Sequence, residues 1–303
     1  MVEPISVTRE QFPKSLIKAD GMQVINPVCD NYELAYYYDV EYAVRGSRKL
    51  FLQIIEPVCT DGKVPLIVYI PGSAFHRQDV KGRVAQLALL AVKGYAVALL
   101  EYRGSEEAGF PAIVVDAKAG ITYMKKHSEE YNVDADKIFV MGDSSGGYTA
   151  LMAGLTNGVE SLEDEFSRNN DYSVRGIIDF YGPTDITTMN DEPSTQDHRT
   201  ADSPEGCLIG CQPVLERRDL SEPTIIKNYV ADGRKLPPVI MFHGSNDELV
   251  PFGQSCQLYT ALKENGHEAA LYQIDGAHHG DRQFWSEQIL GIIDEFIKNN
   301  CLF

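Results

Sequence analysis

The chain is poor in the features that mark several whole classes of protein. It carries one Trp, and only 27 Lys and Arg against 44 Asp and Glu, so its formal net charge is −17. A surface this short of cations repels nucleic acid and anionic membrane at long range, and neither is expected as a partner. No apolar run is long enough to span a bilayer, and Met1 to Gln11 has neither a basic start nor an apolar stretch. As the chain stands, no secretory signal is expected, and a cytoplasmic location follows as the expectation. The six cysteines, Cys29, Cys59, Cys207, Cys211, Cys256 and Cys301, are scattered, and without a sign of export they are expected to be reduced. Cys207 and Cys211 form the one close pair. No second Cys or His pair accompanies them, so no metal site is expected. Internal repeats and low-complexity tracts are also missing.

What is present is an alternation of strand-like and helix-like segments. Residues 1–38 read as an irregular arm running into the first strand. Val40–Val44 and Leu50–Ile55 alternate in polarity around Arg45-Gly46-Ser47, which predicts an antiparallel hairpin at a sheet edge. Short apolar runs of buried-strand type follow at 66–70, 95–100, 138–141, 176–181 and 239–242, with a last strand at 269–274. Helical patterns at about 80–93, 111–131, 147–155, 255–265 and 282–298 separate or close them. This order predicts an α/β fold, a mostly parallel sheet with helices on both faces, over 303 residues as a single domain. Residues 184–236 break the rhythm. A structureless loop of that length is improbable in a compact domain, so a small cap or lid insertion is expected there.

In such a sheet, sites form at the carboxyl ends of the strands. The run Lys137-Ile138-Phe139-Val140-Met141 leads directly into Gly142-Asp143-Ser144-Ser145-Gly146-Gly147 and then a helical pattern. Gly-x-Ser-x-Gly between a strand and a helix is the pattern of a nucleophile elbow, a sharp turn that leaves no room for side chains beside the serine. Centred on Ser144, the flanking positions are Gly142 and Gly146. Centred on Ser145, one would be Asp143, which is too large. The spacing therefore assigns the nucleophile to Ser144.

A serine hydroxyl needs a general base, and the base needs an acid to hold its tautomer. Two strand ends supply candidates. One is His243-Gly244-Ser245-Asn246-Asp247-Glu248, and the other is Asp275-Gly276-Ala277-His278-His279-Gly280. The acid has a rival in Asp185, which follows the strand ending at Tyr181 but also reads as a turn or helix cap. The base falls on the pair His278 and His279.

From about Val40 to Lys298 the chain resembles the α/β-hydrolase superfamily. Within it, the chain is similar to the acetyl-esterase and feruloyl-esterase-like group, related to hormone-sensitive-lipase-type esterases. The resemblance rests on the Gly-Asp-Ser-x-Gly-Gly elbow, on His243, Gly244, Asp247, Val250 and Pro251, and on Gly276, Ala277, His279 and Gly280. It implies the α/β-hydrolase fold and a triad of Ser144, Asp247 and His279, with His279 rather than His278 as the base. His243 is expected to be structural, and Asp143 to anchor the elbow.

The chain departs from this group where its members carry His-Gly-Gly-Gly. Here Pro71-Gly72-Ser73-Ala74-Phe75 follows the third strand. An oxyanion hole is built from backbone N–H groups, so Ser73, Ala74 and Ser145 remain the expected donors despite their side chains. Phe75 and His76 are expected to line the substrate pocket. Arg103 is expected to bond loop carbonyls, and His198 and Arg199 to be exposed.

The resemblance implies a serine carboxylesterase acting on a small ester, with short acyl groups, acetyl above all, or hydroxycinnamoyl groups, often on carbohydrate. No cofactor is implied. Two alternatives stay open: a prolyl-oligopeptidase-type serine peptidase, and a non-catalytic ligand-binding homologue. The edge strand or the amino-terminal arm leaves pairing into a homo-oligomer open as well.

Overall fold

A computed structural model describes residues 3–28, 33–58, 60–231 and 233–302. The chain divides into two units, Met1–Asp30 and Asn31–Phe303. In the first, residues 3–28 contain turns but no helix or strand. Cys29 and Cys59 lie outside the described residues. Among the described residues, no helix is long and apolar enough to cross a membrane.

Among the described residues, the second unit contains eight strands: β1 (Glu33–Arg45), β2 (Arg48–Val58), β3 (Val64–Ile70), β4 (Ala96–Leu100), β5 (Val133–Asp143), β6 (Gly176–Phe180), β7 (Val239–Gly244) and β8 (Ala269–Ile274). They form one sheet in the order β1-β2-β4-β3-β5-β6-β7-β8. The β1–β2 and β2–β4 pairs are antiparallel, and every pair from β4 to β8 is parallel. The helices are α1 (Val84–Ala91), α2 (Ala112–Lys126), α3 (Ser145–Leu155), α4 (Glu165–Arg168), α5 (Pro204–Leu208), α6 (Arg218–Ser221), α7 (Gly253–Glu264) and α8 (Glu287–Cys301). The hairpin turn falls at Gly46, where φ is +63°. The first strand begins at Glu33, so the irregular stretch ends earlier than residue 38.

The apolar runs are strands because both faces of the sheet are covered. Alternate residues of β3 enter different cores. Leu66, Val68 and Ile70 pack with Ile113, Val114, Leu151 and Leu258 of α2, α3 and α7. Ile67 and Tyr69 pack with Leu87 and Leu90 of α1 and with Leu290 and Ile293 of α8. Each such aliphatic side chain removed from water contributes about 1.5–3 kcal/mol. The closing helix α8 shows the local logic. Ser286 caps it by accepting the Ile289 amide at 3.4 Å, and Ile289, Leu290, Ile293 and Ile297 form its buried stripe. Helix α1 is shorter than its pattern predicts because Asp79 Oδ1 accepts the amides of Lys81 and Gly82, each at 3.0 Å. This side-chain turn competes with the first helical turn.

The segment between β6 and β7 holds α5, α6 and two short 3₁₀ turns. Its Ile186, Leu208, Val214, Ile226 and Val230 join the core that α2 and α3 line.

Two charge arrangements stand out in this unit. The carboxylate of Asp116, on α2, is fully buried. It accepts from Arg103 Nε at 2.8 Å and Nη2 at 3.0 Å, and from Arg45 Nε at 2.9 Å. Arg103 thus bonds a carboxylate and not loop carbonyls, because a buried anion needs paired cations. Asp179, on β6, is also fully buried. Its Oδ1 accepts the Gly182 amide at 3.1 Å, while Oδ2 has no partner among the described residues. Burial above all pushes this carboxyl up to about 8.

That shift fixes the sign of a pH effect. A carboxyl whose folded pKa is raised contributes most stability below its unfolded value. The contribution is then lost as pH rises toward the folded value. The stability loss from Asp179 therefore runs from about pH 4 to about pH 8. Asp179→Asn, which cannot ionise, should be more stable than the parent at pH 8, with the gap closing toward pH 4. Urea midpoints at both pH values measure it, and an equal gap at both would show that ionisation is not its cause.

Candidate active site

The site is assembled at the carboxyl ends of β3, β5, β7 and β8. Strand β5 delivers Ser144 at its end, and α3 starts at the next residue. Ser144 has φ +53°, a left-handed backbone that a non-glycine residue adopts at a cost. The crowding expected around it is present. A Cβ on Gly142 would lie 2.2 Å from the Gly146 carbonyl oxygen, and one on Gly146 would lie 2.0 Å from that of Ile70. Only glycine fits either position. The Ser144 amide is bonded to Phe180 O at 2.8 Å, which ties the elbow to β6.

Ser144, His279 and Asp247 form a continuous hydrogen-bonded chain. His279 Nε2 lies 2.9 Å from Ser144 Oγ, and His279 Nδ1 lies 2.8 Å from Asp247 Oδ2. The imidazole is nearly enclosed, and the Asp247 side chain is fully buried. Asp247 Oδ1 accepts the amides of Leu249 and Val250 at 3.0 and 2.8 Å. Burial alone would raise the Asp247 pKa. Hydrogen bonds and charge from His243 and His279 outweigh it and hold the carboxyl well below the usual carboxylate range. His243 is fixed at both nitrogens, with Nδ1 2.7 Å from Ser255 Oγ and Nε2 2.8 Å from Val250 O. It braces the acid loop from behind.

The rival residues lie elsewhere. His278 is exposed and its Nδ1 pairs with Glu248 at 3.0 Å. Asp185 accepts the Thr187 amide at 3.0 Å and pairs with Lys227 at 2.9 Å. The turn reading of Asp185 matches this geometry.

The loop after β3 is held to the elbow by two side chains. Asp143 accepts the Tyr69 hydroxyl at 2.6 Å, the Gly72 amide at 2.8 Å and Arg83 Nη2 at 3.2 Å. Ser145 Oγ accepts the Ser73 amide at 2.9 Å. This last bond alters the expected set of oxyanion donors, since the Ser73 N–H is already committed to a side chain. The amides of Ala74 and Ser145 remain. Ala74 is in a left-handed conformation with φ +53°, and Ser145 opens α3, where the first-turn N–H groups have no intrahelical acceptor. Phe75, expected in the pocket, is buried and packs edge-on against Tyr148 at 5.4 Å. His76 is half-exposed, with Nδ1 3.1 Å from Ser105 Oγ.

Two features of the site were not foreseen. Tyr181, buried at the end of β6 with φ +46°, sets its ring 4.6 Å from the His279 imidazole. Its place after a buried strand was the only sequence signal. The second is His198, expected at the surface but buried. Its Nε2 lies 3.0 Å from both Ser194 Oγ and Leu249 O, and its Nδ1 lies 2.9 Å from Glu205 Oε2. Thr195 N–H reaches Glu248 O at 2.8 Å as well. The segment between β6 and β7 therefore grips the loop that carries Asp247. Arg199 is exposed as expected and pairs with Asp197.

Residues 52–262 match the family described as BD-FAE. The probable carboxylic ester hydrolase LipM of Mycobacterium tuberculosis is 27% identical over 223 residues, which cover 70% of this chain and 48% of that protein. The chain spans about half the length of the first curated relatives it matches. A truncated carbohydrate esterase from gut microbiota superposes with a TM-score of 0.79 at 28% identity, covering 90% of this chain and 98% of that one. The bifunctional GH43-CE protein of Bacteroides eggerthii gives 0.78 at 28% identity, covering 90% of this chain and 36% of that one.

Substituting His198 by Ala removes the imidazole that meets Ser194 Oγ and Leu249 O, and losing these buried bonds should cost about 1–3 kcal/mol, measured by urea denaturation. Ser145→Ala should cost about 1–3 kcal/mol by leaving the Ser73 amide without an acceptor, read in the same assay.

Proposed function

We propose, for a chain that belongs to the BD-FAE family and has the α/β-hydrolase fold, that it is a serine carboxylesterase of acetyl or hydroxycinnamoyl esters carried on carbohydrate. The observation that carries the reading is the unbroken chain from Ser144 Oγ through His279 to Asp247, at 2.9 and 2.8 Å. The carbohydrate part draws support from the two neighbouring structures described as carbohydrate esterases or as carrying such a module.

In this reading, Ser144 Oγ attacks the ester carbonyl carbon while His279 Nε2 takes the hydroxyl proton. Asp247 holds the proton on Nδ1, which keeps Nε2 free as the acceptor and stabilises the imidazolium that forms. The carbonyl oxygen becomes an oxyanion and receives the amides of Ala74 and Ser145. Each such donor is worth about 3–4 kcal/mol in the transition state. The amino end of α3 adds its positive dipole. The tetrahedral intermediate collapses, the alcohol leaves with the proton from His279, and Ser144 is left acylated. A water then gives its proton to His279 and attacks the acyl carbon. Collapse of the second intermediate releases the acid and returns the proton to Ser144.

Tyr181 serves this cycle by packing on the imidazole, which must accept and return a proton without swinging away. The pocket rim near Ser73 and Ala74 carries Cβ atoms where an all-glycine loop would have none, which narrows the approach for bulky alcohols.

Hydrolysis of p-nitrophenyl esters from acetyl to octanoyl, with methyl ferulate beside them, tests the reading. Turnover should fall with acyl length and vanish in Ser144→Ala, whose circular dichroism should match the parent. Undiminished turnover in that variant would sink the assignment. Asp247→Asn should keep substrate binding and lower kcat by about 10⁴-fold, since it removes the acceptor that sets the imidazole tautomer.

A further inference from the structure

The one close pair of cysteines is drawn together by the fold. Cys207 lies in α5, and Cys211 follows a tight reversal in which Gly210 has φ +83° and Cys211 itself φ +56°. The reversal is held by Gly210 N–H to Cys207 O at 3.0 Å and by Gln212 N–H to Gly206 O at 3.2 Å. A non-glycine residue adopts the left-handed region at a cost. Here it aims the Cys211 side chain back at the helix. The two Sγ atoms lie 3.7 Å apart, and both thiols are free. Cys211 is exposed and Cys207 is partly buried.

A disulfide needs its sulfurs about 2.05 Å apart. The gap to close is about 1.7 Å. Burial and the neighbouring Cys211 thiol push Cys207 up to about 11. The exposed Cys211 is therefore the sulfur that meets an oxidant first, and Cys207 is the resolving partner. Among the described residues, no group of three metal-ligating side chains includes the pair.

We propose that Cys207 and Cys211 form a modification site for peroxides, which close the pair into a reversible intrachain disulfide. The Cys211 sulfur attacks one peroxide oxygen. The O–O bond breaks, and a sulfenic acid and one water form from hydrogen peroxide. The Cys207 sulfur then attacks the sulfenic sulfur. The S–O bond breaks, a second water leaves, and the two protons of the thiols end in the waters. Two sulfurs are oxidised by two electrons in all, and the peroxide oxygens are reduced by the same two. A small dithiol reverses the change. The bond fastens the carboxyl end of α5, two residues beyond Glu205, the partner of His198.

The test is thiol mapping on the full chain. The protein is treated with hydrogen peroxide, alkylated with iodoacetamide and digested with trypsin. Both cysteines fall in one tryptic peptide, Thr200 to Arg217. The expected product is that peptide lighter by two hydrogens and free of alkyl groups, with Cys256 and Cys301 still alkylated. Dithiothreitol before alkylation should restore two alkyl groups. Cys211→Ser should abolish the loss of hydrogens and leave Cys207 alkylated. The proposal fails if both cysteines stay alkylated while the same peroxide dose oxidises free glutathione. It fails equally if Cys211 proceeds to sulfinic acid without a bond, or if either cysteine is found linked to Cys29 or Cys59.

Discussion

The carboxyl edge of the sheet depends on one close approach of main chains. Strand β5 must turn into α3 while the loop after β3 passes over the same point. The distances to Gly142 and Gly146 leave no space for a single methyl group. That crowding lifts Ser144 out of both strand and helix into a left-handed conformation. It also brings Asp143 and Ser145 under the β3 loop, where each accepts an amide from it. The position of the serine and the shape of the loop are thus a single geometric solution. The hydroxyl alone would be an ordinary alcohol.

The second requirement is electrostatic. A chain with a net charge of −17 nevertheless buries several carboxylates, and each is treated differently. Asp247 is held ionised by two imidazoles and two backbone amides. Asp116 is held by two guanidiniums. Asp179 receives one amide, and its carboxyl is pushed toward the neutral form. Burial acts on Asp247 and Asp179 in the same direction, and the partner set decides the outcome.

Much of this was legible in the residues. The alternation of apolar runs with helical patterns gave the parallel sheet, because strands covered on both faces leave a continuous apolar signature. The elbow was legible because steric exclusion writes itself as glycine. Side-chain partners were harder to read. Arg103 was expected on loop carbonyls, since nothing local records that its partner is the buried Asp116, which Arg45, 71 residues earlier in the chain than Asp116, also reaches. His198 looked like a surface residue in a charged, weakly periodic segment, for its burial comes from Leu249 on a distant loop. Ser73 was assigned by analogy of position, whereas its amide is engaged by a side chain that the same motif supplies. Long-range pairing leaves little local pattern, so the sequence reading failed mostly at the residues that join separate segments.

The Ser73–Ser145 bond has a consequence for how such a chain can be altered. The β3 loop is fastened through its main chain at Gly72 and Ser73, while Ser73 Oγ ties it further to His76 O and Tyr102 Oη. The residue after the nucleophile is constrained as well. Position 145 must offer an acceptor of the right reach as well as the helix-opening amide. A loop transplanted from a relative would carry its shape across but not its anchor. The loop and the residue after the nucleophile therefore form one exchangeable unit, to be inherited or engineered together although 72 positions separate them.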